Sequence, residues 1–262
     1  MKYTYEQLAK MIDHSLLHPT LTDRELEDGC RLAAKYQVAS VCIKPYAVKH
    51  AAGILHGSGV LVGAVIGFPH GNSCTEIKRL ETAQARADGA TEIDMVINVG
   101  KALSGDWDYV ERDIRAVCDE AHRYGAKVKV IFENDYLTNG GAGLSGDQIK
   151  IKLCRLSEAA GADWVKTSSG YGFVKQPDGS YNYGGATEHD LKLMRASVSA
   201  KVQVKAAGGV RDLDGLIQVR ELGASRCGAT ATAAMLDEFL RREKISSLDQ
   251  SEKVGKIGDG GY

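Results

Sequence analysis

A Gly-Ala pair recurs along this chain, at Gly89-Ala90, Gly125-Ala126, Gly161-Ala162 and Gly223-Ala224, each time between a polar, helix-compatible stretch and a short β-branched run. Glycine fits the left-handed position just past a helix end, so each pair reads as a helix stop followed by a strand start. The first three of these glycines are 36 residues apart, room for one strand and one returning helix. Helix starts carry their own mark. Thr4/Gln7, Thr22/Glu25, Ser73/Glu76 and Ser145/Gln148 have the capping-box spacing, and Thr187/Asp190 is a weaker version. Between these signals the sequence predicts strands at Ile12–Ser15, Val38–Ile43, Val60–Gly67, Thr91–Asn98, Lys127–Glu133, Asp163–Ser168, Val202–Ala207 and Ser225–Ala229. Eight strands alternating with helices, with no Pro- or Ser-rich linker between them, predict a single α/β domain, a (β/α)8 TIM barrel rather than a doubly wound open sheet. The expected barrel domain spans residues 1–245, with an extra helix before its first strand and a flexible tail over residues 246–262.

Composition removes several function classes. Lys plus Arg number 33 against 34 Asp plus Glu, a formal charge of −1, so no overall positive field exists to hold nucleic acid or an anionic membrane. The longest apolar run, Gly59 to Phe68, is about half of what a membrane-spanning helix needs. The N-terminus lacks the apolar segment of a signal peptide. Six widely spaced cysteines, with no CxxC pair and no histidines at zinc spacing, read as reduced and mostly buried thiols of a cytoplasmic protein, not as a metal site.

Strand parity places charge inside the barrel. Over Thr91–Asn98, Ile93, Met95 and Ile97 share one face, and Glu92, Asp94 and Asn98 the other. Val128, Val130 and Phe132 alternate with Lys127, Lys129 and Glu133; Val202 and Val204 alternate with Gln203 and Lys205; Trp164 and Lys166 share a face. Helices cover the apolar side, so the polar side is the lumen, and a merely structural barrel needs no charges there.

Lys166 and Lys205 fall near the carboxyl ends of their strands, where barrels carry their sites. A nucleophilic amine must be unprotonated. A second ammonium about 6 Å away costs roughly 2.8 kcal/mol at an effective dielectric of about 20, about two pKa units. Two lysines on adjacent strands thus supply a free amine, and this argument leaves open which one attacks. Asp94 is an acid/base candidate or a counter-ion for the lysines; Asp13 carries the same two readings. Lys129 and Glu133 are expected to pair with one another. Gly208-Gly209-Val210-Arg211 and Cys227-Gly228-Ala229-Thr230 follow the seventh and eighth strands, the usual phosphate-binding loops of barrels, with Arg211 adding charge.

At these residues the sequence resembles the deoxyribose-phosphate aldolase family. The similarity runs through Ile12-Asp13-His14-Ser15-Leu16-Leu17, Val41-Cys42-Ile43, Gly67-Phe68-Pro69-His70-Gly71, Glu92-Ile93-Asp94-Met95-Val96-Ile97-Asn98, Val165-Lys166-Thr167-Ser168-Ser169-Gly170, Lys205-Ala206-Ala207-Gly208-Gly209-Val210-Arg211 and Gly223-Ala224-Ser225-Arg226. The resemblance implies retro-aldol cleavage of 2-deoxy-D-ribose 5-phosphate through a lysine Schiff base, with no metal or organic cofactor. It implies that Lys166 forms the imine, Lys205 lowers its basicity and shuttles protons, and Asp94 is the acid/base, with Asp13 beside them. Phosphate and substrate are then expected against Gly208, Gly209, Arg211, Gly228, Thr230, Ser169 and Gly170. Tyr262 is expected to fold into the site and assist proton transfer. The implied partners are small phosphosugars and aldehydes, and the implied assembly is a homodimer or larger homo-oligomer.

Three features depart from the family pattern. A long loop, Tyr171 to Gly185, replaces a short glycine-rich turn, and reads equally as a lid or as a surface insertion. His18 stands where a lysine is common, and Ala229-Thr230 replaces a serine-rich stretch. The rival readings are a different Schiff-base lyase acting on a ketose phosphate, a phosphosugar isomerase or synthase, and a sugar-phosphate sensor. The sensor needs no activated amine.

Overall fold

The computed structural model describes residues 2–255, with side chains to Ile245. Eight parallel strands form a closed barrel: β1 (Ile12–Leu16), β2 (Ser40–Ile43), β3 (Leu61–Ile66), β4 (Glu92–Val96), β5 (Lys127–Ile131), β6 (Trp164–Lys166), β7 (Gln203–Ala207) and β8 (Ala224–Ala229). Each pairs with its neighbours in sequence, and β1 closes the ring on β8 through Asp13 opposite Gly228. All eight expected strands are present. A short antiparallel hairpin, Val174–Lys175 with Tyr181–Asn182, lies outside the barrel within the long loop after β6.

The Gly-Ala signal works as a helix stop at every copy. Gly89, Gly125, Gly161 and Gly223 all have positive φ, between 75° and 109°. In the first three copies the following alanine N–H reaches back to a carbonyl of the last turn, Ala90 to Ala85, Ala126 to Ala121 and Ala162 to Ser157, satisfying groups the helix end leaves free. Full capping boxes form at Thr4/Gln7, Thr22/Glu25 and Ser145/Gln148, and Thr187 accepts from the Asp190 N–H. Ser73 is not a cap. The helix Thr75–Ala87 starts one residue later, on Cys74, with no side-chain cap.

Outward-facing Ile93, Met95, Val128, Val130, Phe132, Val204 and Ala206 are fully buried against the helix layer. Burying each large aliphatic or aromatic side chain contributes about 1.5–3 kcal/mol. Five of the six cysteines are buried and all are free; Cys74 is exposed. The N-terminal helix Tyr5–Ala9 precedes β1, as expected. The last helix, Thr232–Gly255, runs past residue 245, where the sequence reading begins its tail. Tyr262 lies outside the described residues. No helix among the described residues is long and apolar enough to cross a membrane.

Candidate active site

The lumen holds one linked ionic network. Register sets it up: Asp94 on β4 lies opposite Lys129 on β5, and Lys166 on β6 opposite Lys205 on β7. Lys166 Nζ and Lys205 Nζ both donate to the same oxygen, Asp94 Oδ2, each at 2.7 Å. Lys205 also meets Asp13 at 2.5 Å. Below them Lys129 contacts Asp13 (3.1 Å), Glu92 (2.5 Å) and Asp94 (3.0 Å), while Arg226 pairs with Asp13 and with Glu92 (2.7 Å). The indole of Trp164 closes the floor, donating to Ser225 Oγ at 2.9 Å beneath the Lys129 and Arg226 cations.

Four cations and three carboxylates make up this network. Burial alone opposes every charge in it, and partners decide the outcome. Burial pulls Lys205 down, but Asp13 and Asp94 outweigh it and hold the ammonium above its ordinary pKa. Lys129 is raised in the same way by Asp13, Asp94 and Glu92. Burial pushes Asp13 and Asp94 up, and the surrounding cations overturn this and hold both carboxyls well below the usual range. Lys166 is the cation with a single carboxylate contact, to an oxygen it shares with Lys205. With all seven groups ionised the network holds one more cation than anion. Geometry thus separates two lysines that strand position alone leaves equivalent.

The expected Lys129–Glu133 pair does not form. Glu133 lies beyond the end of β5 with φ of 57°, so the strand alternation has ended. Its carboxylate instead accepts from the Ser169 N–H (3.1 Å) and the Ser169 hydroxyl. Burial holds this carboxyl above its ordinary pKa against those two hydrogen bonds.

A cavity of about 450 Å³ opens above the two amines. Lys166 and Lys205, themselves buried, line it, whereas the buried Asp94 does not. Around its rim stand Ser169, Gly170, Gly208, Gly209, Gly228 and Thr230, with Arg211 exposed at the edge. Gly208 and Gly209 have φ of 88° and 86°, and among the described residues the N–H groups of Gly209 and Val210 have no hydrogen-bond acceptor. Free backbone donors beside an arginine make this rim suited to an anion. The Ser169 hydroxyl donates to Glu133 and accepts from the Tyr171 N–H. His18 also lines the cavity, with Nδ1 on Thr20 Oγ1 at 2.7 Å.

The Tyr171–Gly185 loop docks onto this rim. Gly184 and Gly185 N–H donate to the Asp135 carboxylate, Ala186 N–H donates to Gly208 O at 3.2 Å, and the Tyr183 ring packs against Gly208. Phe173 and Tyr183 meet edge to face at 5.1 Å, and with Tyr171 they wall the cavity. Arg226 in the lumen network, and Tyr171 and Tyr183 on the cavity wall, are residues that sequence reasoning did not single out. Arg226 shares its strand parity with Gly228, the one signal that it faces the lumen.

The DeoC/LacD family aldolase profile matches residues 7–236. A deoxyribose-phosphate aldolase of Rhodopirellula baltica is 48% identical over 260 residues, covering 99% of each chain. One from Clostridium perfringens is 45% identical over 232 residues, 88% of this chain and 95% of its own. Among solved structures, the tetrameric deoxyribose phosphate aldolase of Aeropyrum pernix superposes with a TM-score of 0.77 at 29% identity, covering 90% of this chain and 92% of that one.

Proposed function

The chain belongs to the DeoC/LacD family of aldolases, and on that premise we propose how it acts: it cleaves 2-deoxy-D-ribose 5-phosphate to D-glyceraldehyde 3-phosphate and acetaldehyde through an imine on Lys166. It is a carbon–carbon lyase of the class I aldolase type. The observation that carries the assignment of Lys166 is the shared Asp94 oxygen, within a network that has one cation to spare.

The neutral Lys166 amine attacks C1 of the open-chain sugar, and water leaves as the protonated imine forms. The C3 hydroxyl then loses its proton, the C2–C3 bond breaks, and its electron pair passes into the imine to give an enamine. Asp94 is buried beneath the amines, so that proton reaches it through water held at the Lys166 and Lys205 nitrogens. Lys205, held as a cation by Asp13 and Asp94, keeps positive charge beside Lys166 and returns the proton to C2. Hydrolysis of the imine consumes one water and releases acetaldehyde. The phosphate sits against Gly208, Gly209, Gly228 and Thr230, with Arg211 at the rim. Asp13 acts by holding Lys205 and Lys129. A homodimer or larger assembly in the cytoplasm completes the reading, supported by the tetrameric relative and the free, mostly buried thiols.

The test is turnover of 2-deoxy-D-ribose 5-phosphate by Lys166→Ala. Product formation is expected to fall to background with the circular dichroism spectrum unchanged. Substantial residual turnover in a folded variant contradicts the assignment.

A further inference from the structure

Beside the catalytic cavity lies a second, smaller one of about 250 Å³, walled by Pro45, Val65, Phe68 and Pro69. The two share Leu17, Pro19 and Tyr171 as a common partition. The charged groups that reach the smaller space are already engaged. Lys44 Nζ donates to His18 O at 3.1 Å and to Leu21 O at 3.5 Å, and Glu81 Oε2 accepts from the Gly67 N–H at 2.7 Å. Most of the surface facing the space is hydrocarbon and aromatic ring, which suits an apolar occupant.

Packed apolar side chains span the distance between the Lys166 nitrogen and that space. Leu17, Cys42 and Val65 form a small buried cluster apart from the main core, with Phe68 and Tyr171 packed against it. One end of that cluster touches the chemistry: Cys42 Sγ lies 3.8 Å from Asp94 Oδ2, the oxygen 2.7 Å from Lys166 Nζ. The other end is the side cavity. Tyr171 stands between the two, its ring edge-on to Phe68 at 5.5 Å. Its backbone is pinned by the Tyr171 N–H on Ser169 Oγ (2.9 Å), and Ser169 is in turn held by Glu133.

We propose that Tyr171 sets the size limit on the donor aldehyde, and that the cavity behind it is a subsite for a short unbranched alkyl chain on the donor's α-carbon. The inference rests on the aldolase reading above. A longer donor forms the same bond: the Lys166 nitrogen joins the carbonyl carbon, water leaves, and the α-carbon loses a proton to give the enamine. With acetaldehyde that carbon carries only hydrogen and does not reach the partition. With propanal or butanal it carries an alkyl group that follows Cys42 and Leu17 toward Tyr171.

The experiment measures kcat/KM for acetaldehyde, propanal and butanal as donors to D-glyceraldehyde 3-phosphate, using the full chain and its Tyr171→Ala, Tyr171→Leu and Tyr171→Phe variants. Tyr171→Ala is expected to raise the butanal-to-acetaldehyde ratio about tenfold or more, the scale on which methylenes are discriminated in apolar pockets. Tyr171→Leu, which keeps an apolar anchor on Phe68, is expected to move the ratio the same way. Tyr171→Phe keeps the ring and is expected to leave it unchanged. Acetaldehyde addition with an unchanged ratio in the Ala and Leu variants overturns the subsite alone. No acetaldehyde addition by the unmodified chain overturns the aldolase reading and the subsite with it.

Discussion

Lys166 and Lys205 sit opposite one another in register, touch the same carboxylate oxygen, and differ only in what else they touch. Lys205 has Asp13 as a second anion; Lys166 has none. The proposed division of roles rests on that difference, and it predicts the response to losing each group. Lys205→Leu removes the neighbouring cation, so Lys166 is needed as the counter-charge and holds its proton more firmly. The acid limb of the rate profile is expected to move up by about one to two pH units, with most activity lost at neutrality; an unmoved limb contradicts the division of roles. Asp94→Asn keeps the shape and removes the proposed base, and is expected to lower kcat by about 10²–10⁴-fold. Residue parity made Asp94, Lys129, Lys166 and Lys205 legible as lumen groups before any coordinates. Which of them meet was not legible. Arg226 reaches Asp13 and Glu92 from 213 and 134 residues away, and alternation along a single strand says nothing about distant partners. Glu133 misled because its left-handed backbone ends the alternation on which the expectation rested.

The strands and helices were the most readable level, because helix stops are local chemistry. A Gly at C′ and a Ser or Thr before Gln or Glu act within a few residues, so tertiary context rarely overrides them. The loop after β6 was not readable: its anchors, Asp135 and Gly208, come from two other barrel loops. Tertiary clasps between helices are equally silent in sequence. Lys78 is fully buried and donates to Asp113 Oδ2 at 2.5 Å and to Val96 O at 2.9 Å, tying the helix Thr75–Ala87 to the helix Trp107–His122 and to β4. Asp113→Ala leaves that ammonium unpaired in the interior. A loss of about 3–5 kcal/mol in denaturant unfolding is expected, and a cost below about 1 kcal/mol contradicts the clasp. The second contact from barrel to helix layer is pH-sensitive. His14 on β1 meets Thr232 Oγ1 at 2.8 Å, at the start of the last helix, and burial pushes its pKa down to about 4. The unfolded chain takes up this proton near pH 6.5 and the folded one does not, so stability is full above that pH. It is expected to fall by about 3 kcal/mol as the pH drops from about 6.5 to about 4. Replacing His14 with Gln is expected to flatten that slope, and an unchanged slope assigns it elsewhere.

At the scale of the whole molecule, the barrel turns eight separate strand ends into one concave site while its outer face packs against helices. Closure brings Asp13 from the first strand against Arg226 from the last, so the network exists only when the ring is shut. The chain's formal charge of −1 says nothing of this, since the lumen holds its own local excess of one cation. The carboxylates held low and the ammoniums held high also set the limits of the folded network. Asp13 and Asp94 contribute stability above the ordinary carboxylate range and lose it in acid; Lys129 and Lys205 contribute it below the ordinary lysine range and lose it in alkali. Neutral pH sits between those limits, with both carboxylates and both ammoniums held in their charged forms. The direct test is borohydride reduction of the full chain in the presence of acetaldehyde, followed by peptide mass spectrometry. One reduced two-carbon adduct, on Lys166, is the predicted result. Labelling of Lys205 or Lys129 in its place, or no labelling at all, contradicts the account.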